Sequence, residues 1–194
     1  NNQTTDNPIY KIFAAKKVEI TKVFPMEQYT KFDDNIKITT ILKKSYNKET
    51  KVWNDTYFLS EIQKNTTKTP QEAQLLLSKI KASSALKDKD FATYEKLMLE
   101  VYKDYSAASS SELNSVAWNF FEKVSNKSSL ETAIKWSQDS VKKDENYANV
   151  DTLANLYNKI GDKKNAKLFA EKSIELAKKS GEDSTDTEKL LNSL

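Results

Sequence analysis

The sequence contains no Cys, no His and no Arg; all 31 of its basic residues are Lys. Each absence removes a class of chemistry. Without Cys or His there is no thiolate or imidazole to hold zinc, no Cys nucleophile and no His-based triad. Without Arg there is no bidentate fork for phosphate, carboxylate or guanine, and Lys is left as a point charge. The 31 Lys stand against 28 Asp and Glu, a net charge of +3, which is not a nucleic-acid footprint. Only 2 Gly and 3 Pro occur, too few turn residues for an all-β fold. The same scarcity excludes Gly-rich phosphate and dinucleotide loops. No apolar run of about 18 residues exists, so no membrane span is predicted. No oxygen-ligand spacing suggests a metal loop. No cofactor, no metal and no catalytic residue are therefore expected. The absence of Cys permits an oxidising compartment without requiring one.

What the chain does contain is helical periodicity. Residues 1–8 are polar and read as a flexible lead. In residues 9–24, Ile9, Ile12 and Phe13 have helical spacing, whereas Val18 and Ile20 alternate like a strand, and Pro25 ends the stretch. From Met26 to about Tyr46 a long helix is favoured, although Asp33-Asp34-Asn35 has turn character. Trp53, Tyr57, Phe58 and Ile62 form a clearer helical stripe. The polar stretch 63–69 is a connector. Residues 1–68 carry 12 Lys and 8 acids, against 19 Lys and 20 acids in residues 69–194. The boundary is placed there, giving an irregular, mostly helical segment over 1–68 and a helical domain over 69–194.

Thr69-Pro70-Gln71-Glu72 is a helix start, with Thr69 as cap, Pro70 in the first helical position and Glu72 closing a capping box. The helix buries Ala73, Leu76, Leu77 and Ile80 and stops near Leu86. Asp88 or Lys89 leads into a partner with Phe91, Tyr94, Met98, Val101 and Tyr105 on one face. Ser109 and Glu112 have the spacing of another box, and Ser128 and Glu131 repeat it. The next pair carries stripes of Leu113, Val116, Ala117, Phe120 and Val124, then Leu130, Ala133, Ile134, Ser137 and Val141. The last pair carries Val150, Leu153, Ala154, Tyr157 and Ile160, then Ala166, Phe169, Ala170, Ser173, Ile174 and Ala177. Both glycines fall at predicted helix ends, Gly161 and Gly181, with Asp162 placed to cap the helix after the first. Thr185 and Glu188 open a terminal helix whose Leu190, Leu191 and Leu194 can cover the last pair.

Ala117 and Ala154 are 37 residues apart, and Ala133 and Ala166 are 33 apart. These values bracket the roughly 34-residue period of a tetratricopeptide unit. The predicted fold is therefore all-α: tetratricopeptide-like antiparallel hairpins stacked as a right-handed array, after a less regular N-terminal segment. Asn114, Ala117-Trp118, Phe120, Glu122, Ala133-Ile134-Lys135-Trp136, Ser140-Val141, Asn146-Tyr147, Asp151-Thr152-Leu153-Ala154 and Ile174-Glu175-Leu176-Ala177 resemble a helical module of exported thioredoxin-family proteins of Bacteroidetes. The resemblance spans roughly residues 70–180. It implies an exported, periplasmic or envelope-associated protein. The thioredoxin Cys motif is absent, so no redox activity transfers.

Tetratricopeptide arrays bind extended peptides along their first helices, as the resemblance implies. The corresponding positions are Asn114, Trp118 and Phe121 in one unit and Asp151, Asn155 and Asn158 in the next. Asn suits a peptide backbone, and Trp118 either anchors a partner or packs on the preceding hairpin. Asp151 sits where carboxylate-clamping repeats place a basic residue, which argues against that clamp. Trp136 lies off its stripe and suits edge or core packing. Trp53, with Tyr57 and Phe58, suits the core. The adjacent acids Asp33-Asp34, Asp144-Glu145 and Glu182-Asp183 diverge on a helix and suit caps rather than acid–base pairs. The expected function is a non-enzymatic protein-binding or assembly module with a protein or peptide partner. The rival is the helical accessory portion of a thioredoxin-family enzyme whose catalytic domain lies elsewhere.

Overall fold

The computed structural model describes residues 4–194; the first three residues of the expected flexible lead lie outside the described residues. Among the described residues the chain is helical apart from one pair of two-residue strands. It forms two compact units, Asn1–Ile80 and Lys81–Leu194.

The first unit opens with α1 (Pro8–Ala15) and α2 (Lys17–Ile20). Asn7 caps α1 by accepting from the Ile9 N–H at 2.8 Å, and Pro8 takes the first helical position, where a missing N–H does no harm. The lead is also tied down, because the Thr5 N–H donates to Thr40 Oγ1 at 2.9 Å. The strand alternative for Val18–Ile20 does not form. Strands Tyr46–Asn47 (β1) and Val52–Trp53 (β2) pair only with each other, and Val18 stands in solvent.

The long helix is present as α3 (Met26–Ser45). Its hydroxyl residues turn inward on the helix itself. Thr40 and Ser45 donate to the carbonyls four residues back at 2.9 and 2.6 Å, which lets them be buried without orphaned oxygens. Asp33 and Asp34 do not break it. Asp34 is buried and accepts from the Thr67 N–H and hydroxyl at 3.2 and 2.6 Å, pinning the connector.

Trp53 departs from the expected helical stripe. It lies in β2, opposite Tyr46 of β1, with ring centroids 4.4 Å apart. The local reason is the turn before it. Asn47 accepts from the Glu49 and Thr50 N–H groups, Lys51 adopts a left-handed φ of 56°, and Asn54 caps a helix that starts only afterwards, α4 (Asp55–Asn65). Ile41, Phe58, Ile62, Ala73 and Leu77 make the core of this unit, with Trp53 packed against it. Ala73 and Leu77 come from α5 (Pro70–Lys87). The predicted box at its start is formed: the Thr69 N–H donates to Glu72 Oε2 at 2.7 Å, and the Glu72 N–H to Thr69 Oγ1 at 3.2 Å.

The second unit takes the rest of α5, then α6 (Phe91–Val101), α7 (Ser110–Lys123), α8 (Lys127–Lys143), α9 (Tyr147–Lys159), α10 (Lys163–Ser180) and α11 (Thr185–Asn192). The next helix after α5 is led in by Asp90, not Asp88 or Lys89. Lys89 takes a left-handed φ of 60°, and the Asp90 N–H donates to the Ala85 carbonyl at 2.8 Å. Asp90 then accepts from the Thr93 N–H at 3.1 Å. The α9–α10 turn repeats this arrangement. Gly161 has φ 87°, the Asp162 N–H donates to the Tyr157 carbonyl at 2.9 Å, and Asp162 accepts from the Asn165 N–H at 3.1 Å. Both are left-handed helix ends of the Schellman type, passing directly into a capped start.

The Ser128–Glu131 box does not form. Asn126 takes that place, accepting from the Ser129 N–H at 3.2 Å and the Ser128 hydroxyl at 2.8 Å, so Ser128 is already a donor and α8 begins earlier. The alanines Ala117, Ala133, Ala154, Ala166, Ala170 and Ala177 are fully buried, as close helix approach requires. Trp136, off its helix's main stripe by sequence, is completely buried. Its ring lies 5.0 Å from Phe120 and 5.7 Å from Tyr102.

Candidate functional site

Flank positions of α7 and α9 carry the six predicted contact residues. The Ser109–Glu112 capping box fixes the start of α7, and Leu113, Val116, Ala117 and Phe120 are buried from it. That burial turns Asn114, Trp118 and Phe121, at i, i+4 and i+7, onto an adjoining flank. In α9 the burial of Val150, Leu153, Ala154 and Leu156 does the same for Asp151, Asn155 and Asn158.

On α7, Trp118 and Phe121 are half-buried and tilted against each other, with ring centroids 5.0 Å apart. Asn114 Oδ1 is shut off from solvent and has no hydrogen-bond partner, as are Trp136 Nε1 and Ser137 Oγ. The α9 residues are engaged within the chain. Asn155 donates its amide to the Asp151 carbonyl and to Asp151 Oδ2, both at 3.0 Å. The other carboxylate oxygen of Asp151 accepts from the Thr187 hydroxyl of α11 at 2.6 Å. Asn158 Oδ1 accepts from Lys163 Nζ at 2.8 Å.

Lys159 joins the two flanks. Its ammonium donates to the Phe121 carbonyl and lies 5.5 Å above the Phe121 ring, a cation–π distance. The structure therefore brings Trp118, Phe121 and Lys159 together in one place and Asp151, Asn155 and Thr187 in another. Sequence spacing identified neither Lys159 nor Thr187. Lys159 lies four residues after Asn155, on the same helical face, so the register carried a signal for it; the Thr187 contact spans 36 residues and carried none.

The electrostatics follow from burial. Desolvation raises the Asp151 carboxyl above its ordinary range, opposed by the Thr187 and Asn155 hydrogen bonds. Desolvation also lowers the Lys159 ammonium. Tyr94, in the core beneath α7, is pushed up to about 12 by burial. No group of three or more acidic side chains able to hold a metal occurs among the described residues. The cluster offers a pair of aromatic rings with a cation over the face of one of them, which suits recognition of an apolar or aromatic side chain. Comparison with protein-family models, with curated proteins and with solved structures finds no match.

Proposed function

We propose that the chain is a non-enzymatic protein-binding or assembly module whose second unit is a tetratricopeptide-like right-handed array. We place it in an exported, envelope-associated setting. The observation that supports binding is the Trp118–Phe121 platform. Two large aromatics remain partly exposed on a helix whose other apolar side chains are buried. Aromatic anchors of this kind dominate interface energies. The array reading is supported by the repeated turn. Lys89-Asp90 and Gly161-Asp162 share their backbone conformation and capping role, and they are 72 residues apart, close to two repeat lengths. The 37-residue offset relating Asn114, Trp118 and Phe121 to Asp151, Asn155 and Asn158 places equivalent flanks on successive first helices.

The partner is a protein segment presenting an apolar or aromatic side chain to Trp118 and Phe121. Asp151 of α9 accepts from Thr187 of α11, Asn155 donates to Asp151, and Asn158 accepts from Lys163 of α10, so the aromatic pair supplies the anchor. The immobilised chain, incubated with extract of the source organism, is expected to retain specific proteins. Trp118→Ala and Phe121→Ala should each reduce recovery, at a loss of about 2 kcal/mol or roughly thirty-fold in affinity, while far-UV circular dichroism is unchanged. Equal recovery by folded variants would remove this face as the binding site.

A further inference from the structure

The leading segment of the first unit inverts the usual burial pattern. Ile9, Ile12, Val18, Val23, Phe24 and Met26 are exposed by 69, 59, 71, 90, 42 and 51%. Scattered exposed apolar residues are ordinary, but six between residues 9 and 26 are a concentration that calls for an occupant. The segment is nevertheless anchored on its other side. Tyr10 is buried and donates its hydroxyl to Asp33 at 2.7 Å. Phe13 stacks on Tyr29 at 4.4 Å and meets Phe32 edge-on at 4.8 Å. Lys17 lies 5.7 Å above the Tyr29 ring. One side of α1 is thus fixed to α3, and Ile9 and Ile12 share an exposed flank of α1 that ends at its capping residue Lys16.

Cations are interspersed with the exposed apolar residues along the segment. From Ile9 to Lys31 there are five Lys and two Glu. Glu19 lies 3.7 Å from Lys16 and Glu27 lies 2.7 Å from Lys31; Lys11 and Lys22 are exposed. A second copy of this segment would bring the same positive charge and be repelled. Protein interfaces favour Trp, Tyr and Arg and are depleted of Lys, the reverse of this surface. An anionic lipid surface matches both properties, because its headgroups attract Lys and its acyl boundary receives apolar side chains. No described helix is long and apolar enough to cross a membrane, so the contact is in-plane.

We propose that α1, α2 and the turn over residues 21–25 form an interfacial anchor for anionic membranes. Val23 and Phe24 enter the acyl boundary, while Lys11, Lys16 and Lys22 face the headgroup phosphates. This inference is independent of the Trp118–Phe121 platform. Co-sedimentation of the full chain with phosphatidylcholine vesicles containing about 30% phosphatidylglycerol tests it. Binding is expected to exceed that to pure phosphatidylcholine by roughly ten-fold or more, and to fall several-fold as salt screens the headgroups. Val23→Asp with Phe24→Asp, and separately Lys11→Glu with Lys22→Glu, should each lower it by roughly ten-fold. These positions are exposed, so the circular dichroism spectrum should stay the same. Leu168→Asp, an exposed apolar site in the second unit, should leave binding unchanged. Equal binding to neutral and anionic vesicles, or unchanged binding by the Val23/Phe24 double variant, overturns the proposal. Capture of polyglutamate with the same Lys11/Lys22 dependence, without vesicle binding, also overturns it and assigns the patch to an acidic protein.

Discussion

Asp151 carries a carboxylate that burial makes hard to ionise, and two neighbours offset that cost by donating to it: the Thr187 hydroxyl and the Asn155 amide. Replacing Thr187 by the near-isosteric Val keeps the packing and deletes the donor. Because the acceptor is charged or nearly so, the loss should be about 1–2 kcal/mol, read as a lower urea midpoint for the second unit. The pH dependence carries a definite sign. Burial raises the folded-state pKa of Asp151 above its unfolded value near ~3.9. The folded state therefore binds the proton more readily, and stability from this group is greatest below the unfolded pKa and is lost as pH rises through the folded value. The caps Asp90 and Asp162 act in the opposite direction, since their hydrogen bonds to Thr93 and Asn165 lower them. Comparing wild type with Asp151→Asn cancels those caps. The stability difference should favour wild type most in acid and shrink towards neutrality; a difference that does not vary with pH would mean that Asp151 is not desolvated.

At the scale of the helices, the ends decide more than the interiors. Gly181 closes α10 in the left-handed region at φ 75°, and a Cβ there would meet nothing within 4 Å. Gly181→Ala should therefore cost only the conformational strain, about 1 kcal/mol. Lys89 holds the same kind of position at φ 60° with a side chain that disfavours it, so Lys89→Gly should stabilise by about the same amount. Opposite shifts of the urea midpoint would check both. These ends also show what the sequence made legible. The Thr69–Glu72 and Ser109–Glu112 boxes were readable because each is complete within four residues. Gly161 and Gly181 were readable because glycine has few other reasons to recur at such spacing. Lys89 was not, because nothing in a Lys side chain marks a left-handed backbone. Nor was Trp53, whose helical spacing from Tyr57 gave way to a strand pairing set by Asn47 and Asn54. Of the candidate face, the Trp118–Phe121 pair follows from register along one helix. The engagement of Asp151 by Thr187 depends on where a distant helix docks, which no local pattern encodes.

For the chain as a whole, α5 is the element that both cores require. Ala73 and Leu77 are buried in the first core, and Ala82 and Ala85 in the second. The compact units divide between Ile80 and Lys81, inside this one helix. A fragment ending at residue 68, at the compositional boundary, thus takes Ala73 and Leu77 away from Phe58 and Ile62. Burial of those two side chains alone is worth about 3 kcal/mol. A unit of this size has a net stability of only about 4–12 kcal/mol, and the half-buried Leu76 and Ile80, which pack on the same core, are lost as well. Residues 1–68 should therefore show no cooperative urea transition, whereas residues 1–87, which retain all of α5, should show one. The comparison is decisive because the two fragments share every other residue of the first core. A cooperative transition in residues 1–68 at the midpoint of residues 1–87 would mean that α5 adds nothing to that core.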